Sequence, residues 1–387
     1  MKFLIKILLL MWMLLLYGCY ASSETLNSQP IGNTIPSISV PKTSPKQEAP
    51  VLRLKVASIQ KVEALQTISI IGVGDIMLGS NYPSSKYLPA NRGKNLLKTL
   101  NPILKDADIT FGNLEGTILD KGATIKHCKK CYAFRMPEYL VDNLVTAGFD
   151  VVSIANNHVR DFGNKGINNT MRVLKANGIY AAGIEKKQEL VTFEKGGVKY
   201  GFAAFAPNIG TVKITNIPHA KKIVRQLAQT SDIVIVSFHG GAEGTAHQHV
   251  PKKTEYYYGE NRGNVHKFAH AVIDAGADIV FGHGPHVTRA VEVYQNRFIA
   301  YSLGNFCTYG RFNLRGATGI APIIKVNVNR NGVFQKAKIT PIVQIKNSRV
   351  IIDKKKRAIS KIIKLTRKDG FLHNISINHD GLITLKK

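Results

Sequence analysis

The chain has 387 residues, 44% of them hydrophobic and 20% charged, enough apolar surface for one large or two small folded units and too little charge for a disordered polymer. Lys and Arg number 53 against 25 Asp and Glu, a formal net charge of +28, so the surface either concentrates polyanions or is a solvated basic face. No helix-turn-helix, zinc-finger or RNA-binding pattern accompanies that charge, which disfavours nucleic acid against anionic lipid, teichoic-type polymer or polyglutamate.

Lys2 and Lys6 surround the start of an apolar run over residues 8–16, the shape of a signal peptide and short for a bilayer span. Leu16-Tyr17-Gly18-Cys19 resembles the bacterial lipobox. Cleavage there makes residues 1–18 a signal peptide and leaves Cys19 as a lipidated terminus that holds the protein to a membrane; the competing reading is an uncleaved anchor with Cys19 incidental. Residues 19–66 are rich in Ser, Thr and Asn, with Pro30, Pro36, Pro41, Pro45 and Pro50, and read as a flexible tether. The expected location is the bacterial cell envelope, lipid-anchored on the extracytoplasmic side. Tyr20 stands where an Asp would retain a lipoprotein in the inner membrane, which tilts a Gram-negative host's copy toward the outer one. In that oxidising setting Cys128 and Cys131 can close a small disulfide loop, and Cys307 reads as a small buried apolar residue.

From residue 67 the pattern becomes strand–helix–strand. Strands are predicted over residues 68–73, 108–111, 149–154, 198–205, 233–238 and 279–281. Helices are predicted over residues 95–105, 137–147 (with Pro137 in the first turn), 166–177 (ending at Gly178), 219–229 and 263–275. After Arg289 the runs are strand-like, with one helix at 358–365. This alternation predicts an α/β domain with parallel strands over residues 67–345, and a C-terminal extension, 346–387, packed on it. The basic run Lys354-Lys355-Lys356-Arg357 reads as a solvated helix start.

Polar residues recur where the predicted strands end, the place at which α/β sheets build sites. Gly74-Asp75-Ile76-Met77, Asn113-Leu114-Glu115-Gly116, Asn156-Asn157-His158, His239-Gly240-Gly241-Ala242-Glu243 and His283-Gly284-Pro285-His286 follow one another along the chain. Any one of them is an ordinary turn or cap. Together they supply the imidazole and carboxylate set that a divalent ion such as Mn, Fe or Zn takes.

The order and wording of these segments resemble the calcineurin-like metallophosphoesterases, and within them the CapA (poly-γ-glutamate capsule synthesis) family. Tyr301-Ser302-Leu303-Gly304-Asn305-Phe306 and Cys131-Tyr132-Ala133-Phe134-Arg135 add to the likeness, which spans residues 68–340. The resemblance implies a four-layer αββα sandwich of the metallo-dependent phosphatase type. It implies Asp75 and His286 at a first metal, with Asn113 or Glu115 where the wider superfamily has a bridging Asp. Asn157, His239 and His283 fall at a second metal, and His158 faces the scissile group as general acid or charge stabiliser. Met77 stands where the superfamily has a His ligand, and Asn113 and Glu115 replace the bridging Asp. One firm metal, with a second weak or absent, is therefore expected.

Around this set, Glu243 is either an acid, base or ligand, or a plain loop carboxylate. Asn305 either orients substrate or caps a turn. Arg135, Arg262, Arg311 and Arg315 are candidates for gripping an anionic substrate, since a guanidinium matches carboxylate or phosphate in bidentate fashion, and each is equally a surface charge. His247 and His249 would share one face of a strand. The tyrosines 256–258 read as packing or rim. The expected process is capsule or related exopolymer biosynthesis through a metal-dependent, phosphoesterase-like hydrolase, with other exopolymer machinery as partners. The alternatives are a non-catalytic component that binds or exports an anionic polymer, and a γ-glutamyl amide hydrolase or transferase.

Overall fold

Two β-sheets lie face to face, and helices cover both outer faces in a computed structural model that describes residues 67–126 and 132–386. Cys19, the tether, Cys128 and Cys131 lie outside the described residues. The larger sheet has ten strands in the order Ile375–Ile377, Leu382–Leu385, Phe334–Gln344, Ile320–Asn329, Thr67–Met77, Ile109–Leu114, Val151–Ser153 and Tyr180–Ala182; Asn305–Thr308 also pairs with Thr67–Met77, and Val350–Ile352 with Phe334–Gln344. The smaller sheet runs Val291–Tyr294, Arg297–Ala300, Ile279–His283, Ile233–His239, Val198–Phe205 and Leu190–Lys195.

Central strands such as Ile233–His239 are buried along their whole length, which is why they read as continuous apolar runs rather than alternating ones. Ile70, Ile109, Phe111 and Val151 from one sheet meet Phe202, Ile235, Phe281 and Phe298 from the other. Phe111 stacks on Phe281 with ring centroids 5.4 Å apart. Helix Gly163–Ala176 buries Ile167, Thr170, Val173 and Leu174 on the outer face of the large sheet. Helix Ile217–Ala228 does the same for the small sheet through Ala220, Ile223, Val224 and Leu227, the spacing of one helical face. Asn216 starts that helix by accepting the His219 N–H. The result is the αββα sandwich expected from the resemblance.

Several expectations need correction. The strand over 68–73 runs on to Met77, with a register shift between Gly72 and Asp75, so Asp75 lies in a strand rather than after one. The helix over 95–105 contracts to Asn101–Leu104. Leu96, Leu97 and Leu100 are core residues held by turns, because Pro102 has no N–H to donate and its ring would clash with the carbonyl four residues back, so it fits only the first turn of a helix that starts at Asn101. Residues 137–147 divide into a 3-10 turn, Glu138–Val141, and a helix, Asp142–Ala147, with Pro137 standing before both. The sheets are mixed rather than parallel: Ile320–Asn329 pairs antiparallel with both Thr67–Met77 and Phe334–Gln344. Beyond residue 345, three strands join the large sheet and helix Arg357–Lys368 gives Ile359 and Ile362 to the core between the sheets. Among the described residues no helix is long and apolar enough to cross a membrane.

Asp278, just before strand Ile279–His283, carries a pH-dependent share of stability. Burial outweighs the Val234 N–H (2.8 Å) and the Arg297 guanidinium (3.1 Å) and pushes its carboxyl up to about 6. A carboxyl with a raised folded pKa favours the fold fully below its unfolded value, about 4, and loses that contribution as pH rises through the folded value. Stability should therefore fall between about pH 4 and pH 6. Asp278→Asn is expected to flatten that slope and to gain on the order of 2 kcal/mol at neutral pH, read from urea midpoints at pH 4.5 and 7.5. An unchanged slope would remove Asp278 as its source.

Candidate metal centre

Glycines let the two sheets bring their strand ends together. A Cβ on Gly72 would sit 2.4 Å from the Phe281 ring, and one on Gly74 would sit 1.9 Å from the Gly304 carbonyl oxygen. Only glycine permits that approach, which lets Asp75 donate its N–H to Gly304 O at 2.8 Å. Pairing then sets Asp75 beside Asn113 on one side and Asn305 on the other, while His239 and His283 are register partners in the facing sheet.

Asp75 Oδ1 accepts from Asn113 Nδ2 at 2.8 Å, and its Oδ2 lies 3.0 Å from His286 Nδ1. Asn113 Oδ1 accepts from Asn156 at 3.2 Å, and Asn113 Nδ2 is 3.5 Å from His239 Nδ1. His286 has left-handed backbone, φ 56°, a conformation that costs roughly 1–2 kcal/mol for a residue with a side chain. Its contacts with Asp75 and with Asn305 Oδ1, also 3.0 Å from Nδ1, offset that cost. Glu115 is fully buried at the middle of the group. Its Oε1 is 3.5 Å from His286 Nε2 and 4.0 Å from His158 Nε2, yet among the described residues neither carboxylate oxygen has a hydrogen-bond partner.

The protonation pattern is that of a cluster short of positive charge. Burial drives the Glu115 carboxyl well above its ordinary range. Burial also opposes ionisation of Asp75, but the His286 hydrogen bond and charge outweigh it and hold that carboxyl low. His286 is pushed down by burial and, more strongly in sum, up by Glu115 and Asp75, to about 10. Burial keeps His239 and His283 neutral, the form in which imidazole binds metal.

The residues fit a divalent cation. Donor atoms of Asp75, Glu115 and His286 lie within 4.8 Å of one another. Besides the Glu115 oxygens, His239 Nε2 and Asn157 Oδ1 are buried and without hydrogen-bond partners among the described residues. Leaving such atoms unsatisfied is costly, most of all for a carboxylate. Asp75, Glu115 and His286 could hold one ion, with His239 and Asn157 offering donors for another. Asn113 bridges Asp75 and His239 through its amide. His283 reaches the same floor, but its Nε2 is 3.1 Å from Val73 O and its Nδ1 3.4 Å from Ser237 Oγ. Met77 lies in the core behind the large sheet.

A cleft of about 390 Å³ opens over this floor, lined by Asn157, His158, Glu243, Arg262 and His286 among others. His158 Nδ1 is 2.8 Å from Asp161 Oδ2, whose other oxygen is 2.5 Å from Lys126 Nζ. Burial outweighs the attraction of Asp161 and lowers the His158 pKa. Glu243 Oε1 is 3.0 Å from the Arg262 guanidinium, which Glu260 holds from the other side at 2.6 Å. Arg311 lies over the Tyr132 ring at 4.5 Å, on the rim.

Other expected site residues go elsewhere. Arg135 donates to Asn81 Oδ1 and Gly122 O and lies against Tyr82 and Phe162, away from the cleft. Asn305 holds His286 and Thr318 O and does not line the cleft. His247 and His249 sit in a loop, not a strand, and His249 pairs with Asp369. Tyr257 and Tyr258 line the cleft and Arg315 is exposed. Sequence reasoning missed Asp161 and Lys126. The three-residue spacing from His158 to Asp161 was a usable signal; Lys126, 32 positions away, offered none.

Residues 69–309 match the family model described as bacterial capsule synthesis protein PGA_cap. The capsule biosynthesis protein CapA of Bacillus anthracis is 25% identical over 378 residues, covering 87% of this chain and 86% of that protein. The PGA biosynthesis protein CapA of Bacillus subtilis (strain 168) is 28% identical over 292 residues, 70% of each chain. Among solved structures, a hypothetical protein from Thermus thermophilus aligns with 72% of this chain and 99% of its own at 18% identity, with a TM-score of 0.42. With its family model matched over more than half its length, the chain belongs to the bacterial capsule synthesis protein PGA_cap family.

Proposed function

We propose that this protein serves capsule or poly-γ-glutamate-type exopolymer synthesis from the cell envelope, anchored through Cys19, and that its cleft is a divalent-cation-dependent hydrolase centre of phosphoesterase type. One observation carries the hydrolase reading: the buried Glu115 carboxylate, with no hydrogen bond of its own among the described residues, beside Asp75 and His286. Asp75, Glu115 and His286 would hold the ion. When bound, such an ion acidifies water and polarises a phosphoryl or carbonyl oxygen.

The remaining work falls to the chain's own side chains. Asp161 accepts from His158 Nδ1, which fixes the tautomer and turns Nε2 toward Glu115 and the cleft. His158 Nε2 can then take a proton or return one to a leaving group. Arg311, on the rim and paired with no carboxylate among the described residues, favours an anionic substrate, while Lys126 and Arg262 line the same cleft already paired with Asp161 and with Glu243 and Glu260. Glu243 holds the Arg262 guanidinium in place. The net charge of +28, with Arg311 on the cleft rim, supports a second reading in which the protein binds an anionic polymer without cleaving it.

Metal content of the full chain, with turnover on a phosphodiester panel and on poly-γ-glutamate, separates the readings. His158→Ala is expected to keep its metal and lose about 10²–10⁴-fold in turnover, whereas Asp75→Ala loses both. Release of free glutamate or shortened polymer, with phosphodiesters untouched, would redirect the chemistry to the γ-glutamyl amide. A chain that takes up no Mn, Fe or Zn and turns over nothing would sink the hydrolase reading; salt-sensitive polyglutamate binding would then support the second.

A further inference from the structure

We propose that His266, His270 and Glu292 form a separate site for a divalent transition-metal ion of the zinc class, on the helix-covered face of the smaller sheet. His266 and His270 are four residues apart in helix Val265–Ile273, so both rings project from one face. Glu292 comes from strand Val291–Tyr294. Its neighbours Val291 and Val293 point into the core between the sheets, so strand alternation turns Glu292 the other way, toward that helix.

The donor atoms of the three residues lie within 4.8 Å of one another. His270 Nε2 is 3.0 Å from Glu292 Oε2, and the two imidazole centroids are 4.1 Å apart. An ion pair between His270 and Glu292 would need no second histidine. Yet the His266 ring is held beside them and makes no side-chain hydrogen bond among the described residues, which leaves its ring nitrogens free. Its surroundings are aromatic instead, Tyr301 at 6.1 Å and Phe371 at 5.9 Å between centroids.

The outer groups behave as supports. Tyr301 donates its hydroxyl to Glu292 Oε2 at 2.6 Å, and Tyr294 stacks on His270 with centroids 3.7 Å apart. Such contacts aim ligands and raise metal affinity. Burial opposes a charged Glu292, but the His270 and Tyr301 hydrogen bonds outweigh it and hold the carboxylate ionised. Burial, and then His270, outweigh the attraction of Glu292 and push His266 toward the neutral form that ligates, with Lys252 adding a smaller repulsion. The Glu292 side chain is 5% exposed and that of His270 21%, so an ion could enter from solvent and keep water in its remaining positions. Two imidazoles and one carboxylate suit Zn, Co, Ni or Cu better than Mg or Ca. The ion would tie the helix to strand Val291–Tyr294, on the helix that follows the strand bearing Arg262.

The test is made on the full chain carrying Asp75→Ala and Glu115→Gln to silence the central cluster. It is stripped with chelator and titrated with zinc sulfate, and with cobalt as a spectroscopic probe. One zinc per chain is expected, with tetrahedral cobalt absorption and a zinc-dependent rise in thermal midpoint. His266→Gln and, independently, Glu292→Gln should weaken zinc binding at least about 100-fold. His266→Gln should lower the metal-free thermal midpoint only slightly, because the native side chain makes no hydrogen bond among the described residues and loses only its ring contacts with His270, Tyr301 and Phe371. Absence of stoichiometric zinc from the silenced chain, or equal binding by both variants, overturns the proposal. If one of the two variants fails to fold, the other decides, because zinc affinity left unchanged by it overturns the proposal.

Discussion

Glu115→Gln is expected to cut divalent-cation affinity at the central cluster at least about 100-fold, a loss of roughly 3 kcal/mol, while leaving the metal-free protein folded and close to its original stability. The two halves of that outcome come from one geometry. The carboxylate is wholly buried and makes no hydrogen bond among the described residues, so an amide of the same shape breaks none. It supplies charge, and charge is what a cation between Asp75 and His286 would take from it. His286 keeps its contact with Asp75 at 3.0 Å in the variant. Calorimetric titration with Mn and Zn, beside thermal unfolding of the stripped protein, reads both quantities. Undiminished affinity would place the ion elsewhere, and a collapse of metal-free stability would make Glu115 a structural acid.

Arg289→Met should have the opposite signature, a loss of about 3–5 kcal/mol in folding stability. The Arg289 side chain is completely buried and forms a two-pronged pair with Glu255, at 2.9 and 2.7 Å. It also donates to the carbonyls of His247 and Ala242. Removing it strands Glu255 in the interior and frees the loop that carries Glu243 into the cleft. Urea unfolding measures the loss, and limited proteolysis should find new cleavage between residues 240 and 250. Arg289→Met with Glu255→Leu is expected to recover most of the stability, because a buried pair replaced whole costs far less than one broken. If the double variant is as weak as the single one, the loop carbonyls rather than the ion pair carry the effect.

Arg289 was not visible as important in the sequence, whereas Asp75, Glu115, Asn157, His158, His239 and His286 were. The cause is the range over which each signal acts. The visible residues sit at ends of apolar runs, with Asp75, Glu115 and His239 each beside a glycine, and a run of buried strand followed by a polar turn is a local signal. Arg289 matters through Glu255, 34 positions earlier, and nothing near either residue announces the pair. Arg135 illustrates the converse error. It lies in a telling segment, but the folded chain spends its guanidinium on Asn81 and Gly122.

Local sequence sufficed for the α/β class and the chemistry gathered at the strand ends, because burial periodicity and residue type act over a few positions, while the layered sandwich and the departure at Met77 followed from the family resemblance. Long-range packing settled what the side chains do with one another. It turned residues 95–100 from a helix into core-packing turns, and drew the strands after residue 345 into the large sheet. It bent His286 into left-handed backbone against an aspartate 211 positions away, and made Asn305 its support. It also left Glu115 buried with no hydrogen-bond partner of its own among the described residues. Such relations depend on closing long loops and on desolvating particular atoms together, and neither is encoded in any short stretch of the chain.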